Sequence, residues 1–378
     1  MKKVFVTSWH PSATNFIVPV VNELISRGCE VDVLGTKYSI PIFQKNNIPY
    51  HEAEYFGVED YSPKSMEKLL RDSIPDVILA GTSFQTNDEI YIPDQTVLIA
   101  SKKLGLPSMR VQDWFPYSKK YDDLSTNTRH IYMPDLIAVS DDLVKDRMIS
   151  EGFKGDLMVV TGNPETASLL SKNQLFNNDA RRQLIEKIGF NPGNILYYAG
   201  GIEWEENRST IGYANSDHFE IFNQVLREEK SPEVGIIATL HPRIPAIEKE
   251  RILSIVADIG DDRLRLVFGY DSSELTLSTQ STLTAFSTVG IKATYLTKPC
   301  ISLQPNLIWP NEFDSGDIGY FVDNPYIPLG KTISSSKELV KSAFSPKFRQ
   351  ELESKLKESS AVNPGEASKN VVDLVLSL

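Results

Sequence analysis

At 378 residues the chain exceeds one typical domain and calls for two. Its 41% hydrophobic and 24% charged residues are those of an ordinary globular protein. The net charge of −11 argues against a nucleic-acid-binding surface, though not against a local pocket for one nucleotide.

The two cysteines, Cys29 and Cys300, lie far apart in apolar segments, with no disulfide framework and no metal-ligand spacing. A reducing, cytoplasmic setting is expected. Lys2-Lys3 before Val4-Phe5-Val6 does not read as a signal peptide, because Ser8, His10 and Pro11 interrupt the apolar run. No window of about 18 apolar residues is present to span a membrane.

In chain order, residues 3–8 read as a buried strand, 9–15 as a loop and 16–27 as a helix closed by Gly28. Strands follow at 31–35, 48–50, 75–81, 107–112, 135–139 and 157–161, with helices at 40–46, 65–73, 95–104 and 141–151. Loops are read at 82–87 and from Asp113 to Phe115. A charged, helix-like stretch covers 169–188. Beyond it, strands are expected at 195–199, 234–240 and 264–268, and helices at 219–229, 247–258, 334–344, 346–356 and 364–378. Asn363 before Pro364 suits an N-cap followed by proline at the first helical position. Strands alternating with helices at this spacing mean parallel α/β sheets.

The run from Leu283 to Leu303 stands out. A strand ends in Thr284-Ala285-Phe286, turns through Ser287-Thr288-Val289-Gly290 and opens a short helix at 291–296 that Lys298-Pro299 stops. Unpaired amides at a helix start and the helix dipole make a place for an anion, typically phosphate.

The same run, STVGIKATYLTKP, resembles the ST-V-G-x-E-A-x-x-x-G-K-P pattern of GT-B type enzymes of bacterial surface polysaccharides. These include nucleotide-sugar glycosyltransferases and the related hydrolysing UDP-N-acetylglucosamine 2-epimerases. The block 134–164, with its Thr161-Gly162-Asn163, is similar to the end of the first domain of that fold. The resemblance implies two doubly wound Rossmann-like α/β domains facing a cleft. They would cover 1–163 (acceptor side) and 164–362 (nucleotide-sugar side), with 363–378 a helix returning to the first domain. It also implies that the turn holds the donor phosphates. In the family a glutamate commonly holds the ribose at the position where this chain has Lys292.

Further candidates end other strands, where open α/β sheets bind ligands. His241 and Arg243 follow the strand 234–240 and would bind phosphate, Arg243 bidentately. Gly200-Gly201 would let backbone approach a ligand. They stand near where the epimerases carry a His-Arg-x-x-Asn signature; this chain reads Gly-Ile-Glu-Trp-Glu-Glu-Asn there. Glu203, Glu205 and Glu206 read as solvated loop charges. In the first domain Asp113 or His10 would be the general base, with Asp113 favoured, and Gly81-Thr82-Ser83 would line the same place. No Asp-x-Asp triplet of metal-dependent transferases occurs, so no metal and no other cofactor is expected.

The expected activity is sugar transfer from a nucleotide-sugar donor to a glycan or lipid-linked acceptor, with peripheral membrane contact allowed for and no nucleic-acid partner. A nucleotide-sugar 2-epimerase and a non-catalytic nucleotide-binding protein are the alternatives.

Overall fold

The structure, a computed structural model, describes residues 2–83, 91–114, 117–123, 126, 128–166, 169–170, 176–191, 193–308, 321–322, 324–359 and 364–378. The chain splits into two compact units, Met1–Leu170 with Ala361–Leu378, and Ser171–Ser360. Phe115, positions 84–87 of the loop 82–87, positions 171–175 of the stretch 169–188, and the Asn363 cap lie outside the described residues.

The first unit carries six parallel strands: β1 (Lys3–Thr7), β2 (Glu30–Leu34), β3 (Val77–Ala80), β4 (Ser108–Val111), β5 (Leu136–Val139) and β6 (Met158–Val160). Their order is β2-β1-β3-β4-β5-β6. β3 and β4 are buried along their whole length, whereas the edge strand β2 starts exposed. A strand covered on both faces reads as a continuous apolar run rather than as alternation, as β3 does with Val77-Ile78-Leu79-Ala80; β4 departs from this by burying Ser108 and Arg110. The terminal helix Ala367–Ser377 belongs to this unit and packs on the helix Pro11–Ser26. It buries Ala367, Val371, Val372 and Val375, and its Asn370 donates to the Thr161 carbonyl at 3.0 Å.

The helix Pro11–Ser26 begins five residues before the expected start at Phe16. Proline at the first helical position has its φ already set and no amide to leave unpaired. The Thr14 hydroxyl also donates to the His10 carbonyl at 2.9 Å. His10 is therefore the N-cap residue of a helix and not the middle of a loop. The expected strand 48–50 is reduced to one bridge between Leu34 and His51.

The second unit also has six parallel strands: β7 (Asn194–Ala199), β8 (Val234–Thr239), β9 (Leu264–Leu266), β10 (Ser281–Thr284), β11 (Cys300–Leu303) and β12 (Leu329–Gly330). The order is β12-β11-β10-β7-β8-β9. β7 shows why helices lie on both faces. Leu196 and Tyr198 point into a core with Phe219, Phe222 and Val225 of the helix Asn215–Glu228. Ile195, Tyr197 and Ala199 point into another with Ile185 and Ile188 of the helix Asn178–Ile188. The strand's two-residue period assigns one set to each layer. Both units are thus doubly wound Rossmann-like α/β sheets. The short helices Arg208–Ile211 and Ser272–Ser278 and the two-residue strand β12 are absent from the sequence reading, being too short to show a period.

Candidate functional site

In an open parallel sheet the helices leave a crevice where the strand order reverses, at the carboxyl ends of the strands. In the second unit the reversal falls between β7 and β10. The loops leaving those two strands are Gly200-Gly201 and Ala285-Phe286-Ser287, which are the two stretches singled out above. In the first unit it falls between β1 and β3, at Ser8-Trp9-His10 and Gly81-Thr82-Ser83.

The helix after β10 runs Thr288–Tyr295, so Val289 and Gly290 belong to its first turn. Thr284 ties the loop to the neighbouring strand: its hydroxyl donates to the Ala199 carbonyl at 3.0 Å and accepts the Ser287 amide at 3.0 Å. Ser287 caps the helix, its Oγ accepting the Val289 amide at 3.3 Å. That cap takes up an amide the sequence assigned to phosphate, but it leaves the Ser287 hydroxyl hydrogen to donate. Val289 packs against the apolar core beside Leu275 and Tyr197. Gly290 serves close packing: a Cβ there would lie 2.7 Å from Thr284 Cγ2 and 2.8 Å from Cys300 Sγ. Lys292 sits one turn beyond Thr288 on the same helix face, and both are partly exposed.

At the end of β7, the Gly200 amide donates to the Thr239 carbonyl of β8 at 2.9 Å. His241, two residues past β8, accepts the Arg243 amide on Nδ1 at 3.1 Å. Its remaining proton is therefore on Nε2 when the ring is neutral. Burial, aided by the Arg243 charge, holds His241 below its ordinary value and favours that neutral form. The Arg243 side chain is exposed.

Glu203 overturns the reading of this loop as solvated. It is fully buried, and its Oε2 accepts the Gly201 amide at 3.0 Å. Its backbone carbonyl takes both the amide and the side-chain Nδ2 of Asn215, at 2.7 and 2.8 Å. A side chain on Gly201 would collide with this carboxyl, at 2.5 Å from Oε1. Glu205, by contrast, pairs with Arg208 near the surface. Burial pushes the Glu203 carboxyl up to about 7.

A carboxyl raised on folding binds its proton more tightly in the native state. It adds stability below about pH 4.5, and that stability is lost as pH rises through about 7. His218, pushed down to about 4 by burial, acts with the opposite sign between its folded and ordinary values. Glu203→Gln is therefore expected to remove a component on the order of 3 kcal/mol from the fall between pH 5 and 8. Urea midpoints of the two proteins at both pH values check it. Parallel profiles would overturn the assignment.

In the first unit the switch point is built on buried polar groups. Asp94, fully buried, accepts the Ser83 hydroxyl at 2.7 Å and the Trp9 amide at 3.2 Å through Oδ2. Ser83 Oγ in turn accepts the His10 amide at 3.0 Å. Gly81 allows this closeness, since a Cβ there would meet Ser8 Oγ at 2.9 Å. His10 remains partly exposed at the sheet end. Asp113 is 5% exposed. Its Oδ1 accepts the Thr82 hydroxyl at 2.6 Å and is ion-paired with the buried Lys120. Arg110, also fully buried, donates to the carbonyls of Gly81 at 2.9 Å and Lys120 at 2.8 Å, and stacks over Tyr121. Asp94, Arg110 and Lys120 were not candidates from the sequence. Lys120 lies in a stretch without periodicity, and nothing local marks it as buried.

No protein-family model matches the sequence, and no curated protein matches it. Solved structures do. The UDP-GlcNAc 2-epimerase of Neisseria meningitidis, bound to UDP-GlcNAc, superposes with a TM-score of 0.71 at 14% identity, covering 100% of both chains. MurG of Acinetobacter baumannii gives 0.61 at 14% identity, again covering 100% of both. A glycosyltransferase of Rickettsia africae gives 0.64 at 11% identity, covering 100% of this chain and 98% of that one.

The fold is GT-B.

Identities this low establish the architecture alone. Within the GT-B fold the second unit has the strand order of the dinucleotide-binding sheet, and the first the flavodoxin-like order extended by one strand. No helix among the described residues is long and apolar enough to cross a membrane.

Proposed function

We propose that the chain acts on a nucleotide-sugar and transfers its sugar to an acceptor hydroxyl. The observation that carries this is the β7–β10 switch point, where a hydroxyl-capped helix start and a glycine pair meet at one crevice. In this reading the donor diphosphate takes hydrogen bonds from Ser287, Thr288 and His241 Nε2, with Lys292 and Arg243 offsetting its charge. His10 takes the proton from the acceptor hydroxyl. The oxygen then bonds to the anomeric carbon as the bond from that carbon to the diphosphate breaks. The nucleoside diphosphate leaves with its electron pair.

His10 is preferred to Asp113, because the Asp113 carboxylate is buried and committed to Thr82 and Lys120. A base must reach the proton it takes.

A second reading is a nucleotide-sugar 2-epimerase, supported by the epimerases among the structures of like fold. Against it stands Gly200-Gly201 near the place of the epimerase His-Arg. Incubation with UDP-, GDP- and CMP-sugars separates the readings. Transfer requires an acceptor and yields glycosylated product, whereas epimerisation changes the sugar with no acceptor present. Ser287→Ala with Thr288→Ala is expected to weaken nucleotide binding by about 1–3 kcal/mol, the range for lost hydrogen bonds to a charged group. Unchanged affinity by calorimetry in a folded double variant would remove the donor from this turn.

A further inference from the structure

A cavity of about 520 Å³ opens at the other end of the second unit's sheet. It is bordered by Gly193 and Ile195 at the start of β7 and by Gln280 just before β10. β7 is six residues long, so the cavity lies about 16 Å from the switch point at ~3.3 Å per residue. A molecule bound there would not touch the crevice at the carboxyl ends.

The lining is cationic in a protein whose net charge is −11. Arg181 and Arg182 come from the helix Asn178–Ile188, Arg349 from the helix Pro346–Ser359, and Lys298 from the loop before β11. Glu353 is the acidic residue among the lining groups. Arg182 is held near the surface by Asp179.

Lys298 and Arg349 are different. Lys298 Nζ donates to the carbonyls of Thr276, Leu277 and Thr279 at 2.8, 2.7 and 2.7 Å. Arg349 Nη1 donates to Asn194 Oδ1 at 2.7 Å and the Ala343 carbonyl at 2.8 Å. All these hydrogen-bond partners are neutral, and Glu353 is the one carboxylate of the lining whose charge acts on both cations. Burial, with Arg181 nearby, pushes Lys298 down to about 7, and burial also lowers Arg349. Both shifts show cations held where their charge is costly. An anion in the cavity relieves that cost.

We infer that this cavity is a second ligand site, separate from the switch point, and that it takes a small phosphorylated molecule through Arg181 and Arg349, with Lys298, its three donors already on carbonyls, contributing charge alone. Its volume suits a group larger than one phosphate. Arginine's fork and a lysine point charge are the usual pair for phosphate oxygens.

The test uses the full chain carrying Ser287→Ala and Thr288→Ala, so that the switch point contributes little, and pyrophosphate as the probe in calorimetry. One binding event is expected to remain. Adding Arg349→Gln should weaken it about 10-fold or more, the loss typical of a charge-assisted hydrogen bond. Because Arg349 also braces Asn194, Arg182→Glu serves as a second variant. That side chain is exposed, so its reversal leaves the packing intact and should weaken binding several-fold through charge alone. Absence of pyrophosphate binding in the starting protein overturns the inference. So does an affinity unmoved by Arg182→Glu and by a folded Arg349→Gln protein.

Discussion

Replacing Asp113 by alanine is expected to cost about 3–5 kcal/mol of stability, the range for breaking one side of a buried ion pair. Both side chains of the Asp113–Lys120 pair are 3% exposed, so water cannot take over the solvation of the lysine left behind. The Thr82 hydroxyl also loses its acceptor, while the Asp113 amide, which donates to Thr82 Oγ1 at 3.0 Å, keeps the loop after β3 joined to the loop after β4. Urea unfolding followed by a probe in the first unit measures the loss. Pairing Asp113→Ala with Lys120→Met removes the stranded charge and is expected to recover much of it. A double-mutant cycle then gives the coupling directly. A cost below about 1 kcal/mol in the single variant would show that Lys120 finds another anion, and would return Asp113 to candidacy as a free carboxylate.

His10→Ala is expected to lower kcat by about 10²- to 10⁴-fold, the usual contribution of a general base, with nucleotide affinity nearly unchanged. The fold should tolerate the change. His10 caps its helix through its backbone, with no hydrogen bond from its side chain to the first turn. Its amide contact to Ser83 survives any substitution other than proline. A fall in kcat alone, with the donor's dissociation constant held, separates catalysis from binding. Full turnover by His10→Ala would take the base out of the β1 loop.

The sheets were legible because their strands are short apolar runs bounded by turn residues, and the switch points followed from strand order. The end of β7 and the turn after β10 were marked in the sequence, and the structure places both at the switch point of the second sheet. Gly290 was read only as part of the phosphate turn; its second task, close packing against Cys300 on a separate element, has no local signal. Glu203 looked solvated because it precedes Glu205 and Glu206. What buries it is the fold-back onto the Gly201 amide, which no periodicity reveals. His10 looked like a loop residue because apolar spacing starts only at Phe16, although Pro11 was a usable signal for the helix start. The cationic cavity was hidden because its lining comes from five stretches between Asn178 and Glu353, each unremarkable alone.

The first unit is discontinuous: Ser171–Ser360 is interposed between most of it and its last helix. A ribosome therefore releases every strand of the second unit before it makes Ala367–Ser377. Until then the nascent first unit lacks the partner that covers its helix Pro11–Ser26, and Arg27 waits for Asp373. The unit synthesised first is thus the one finished last.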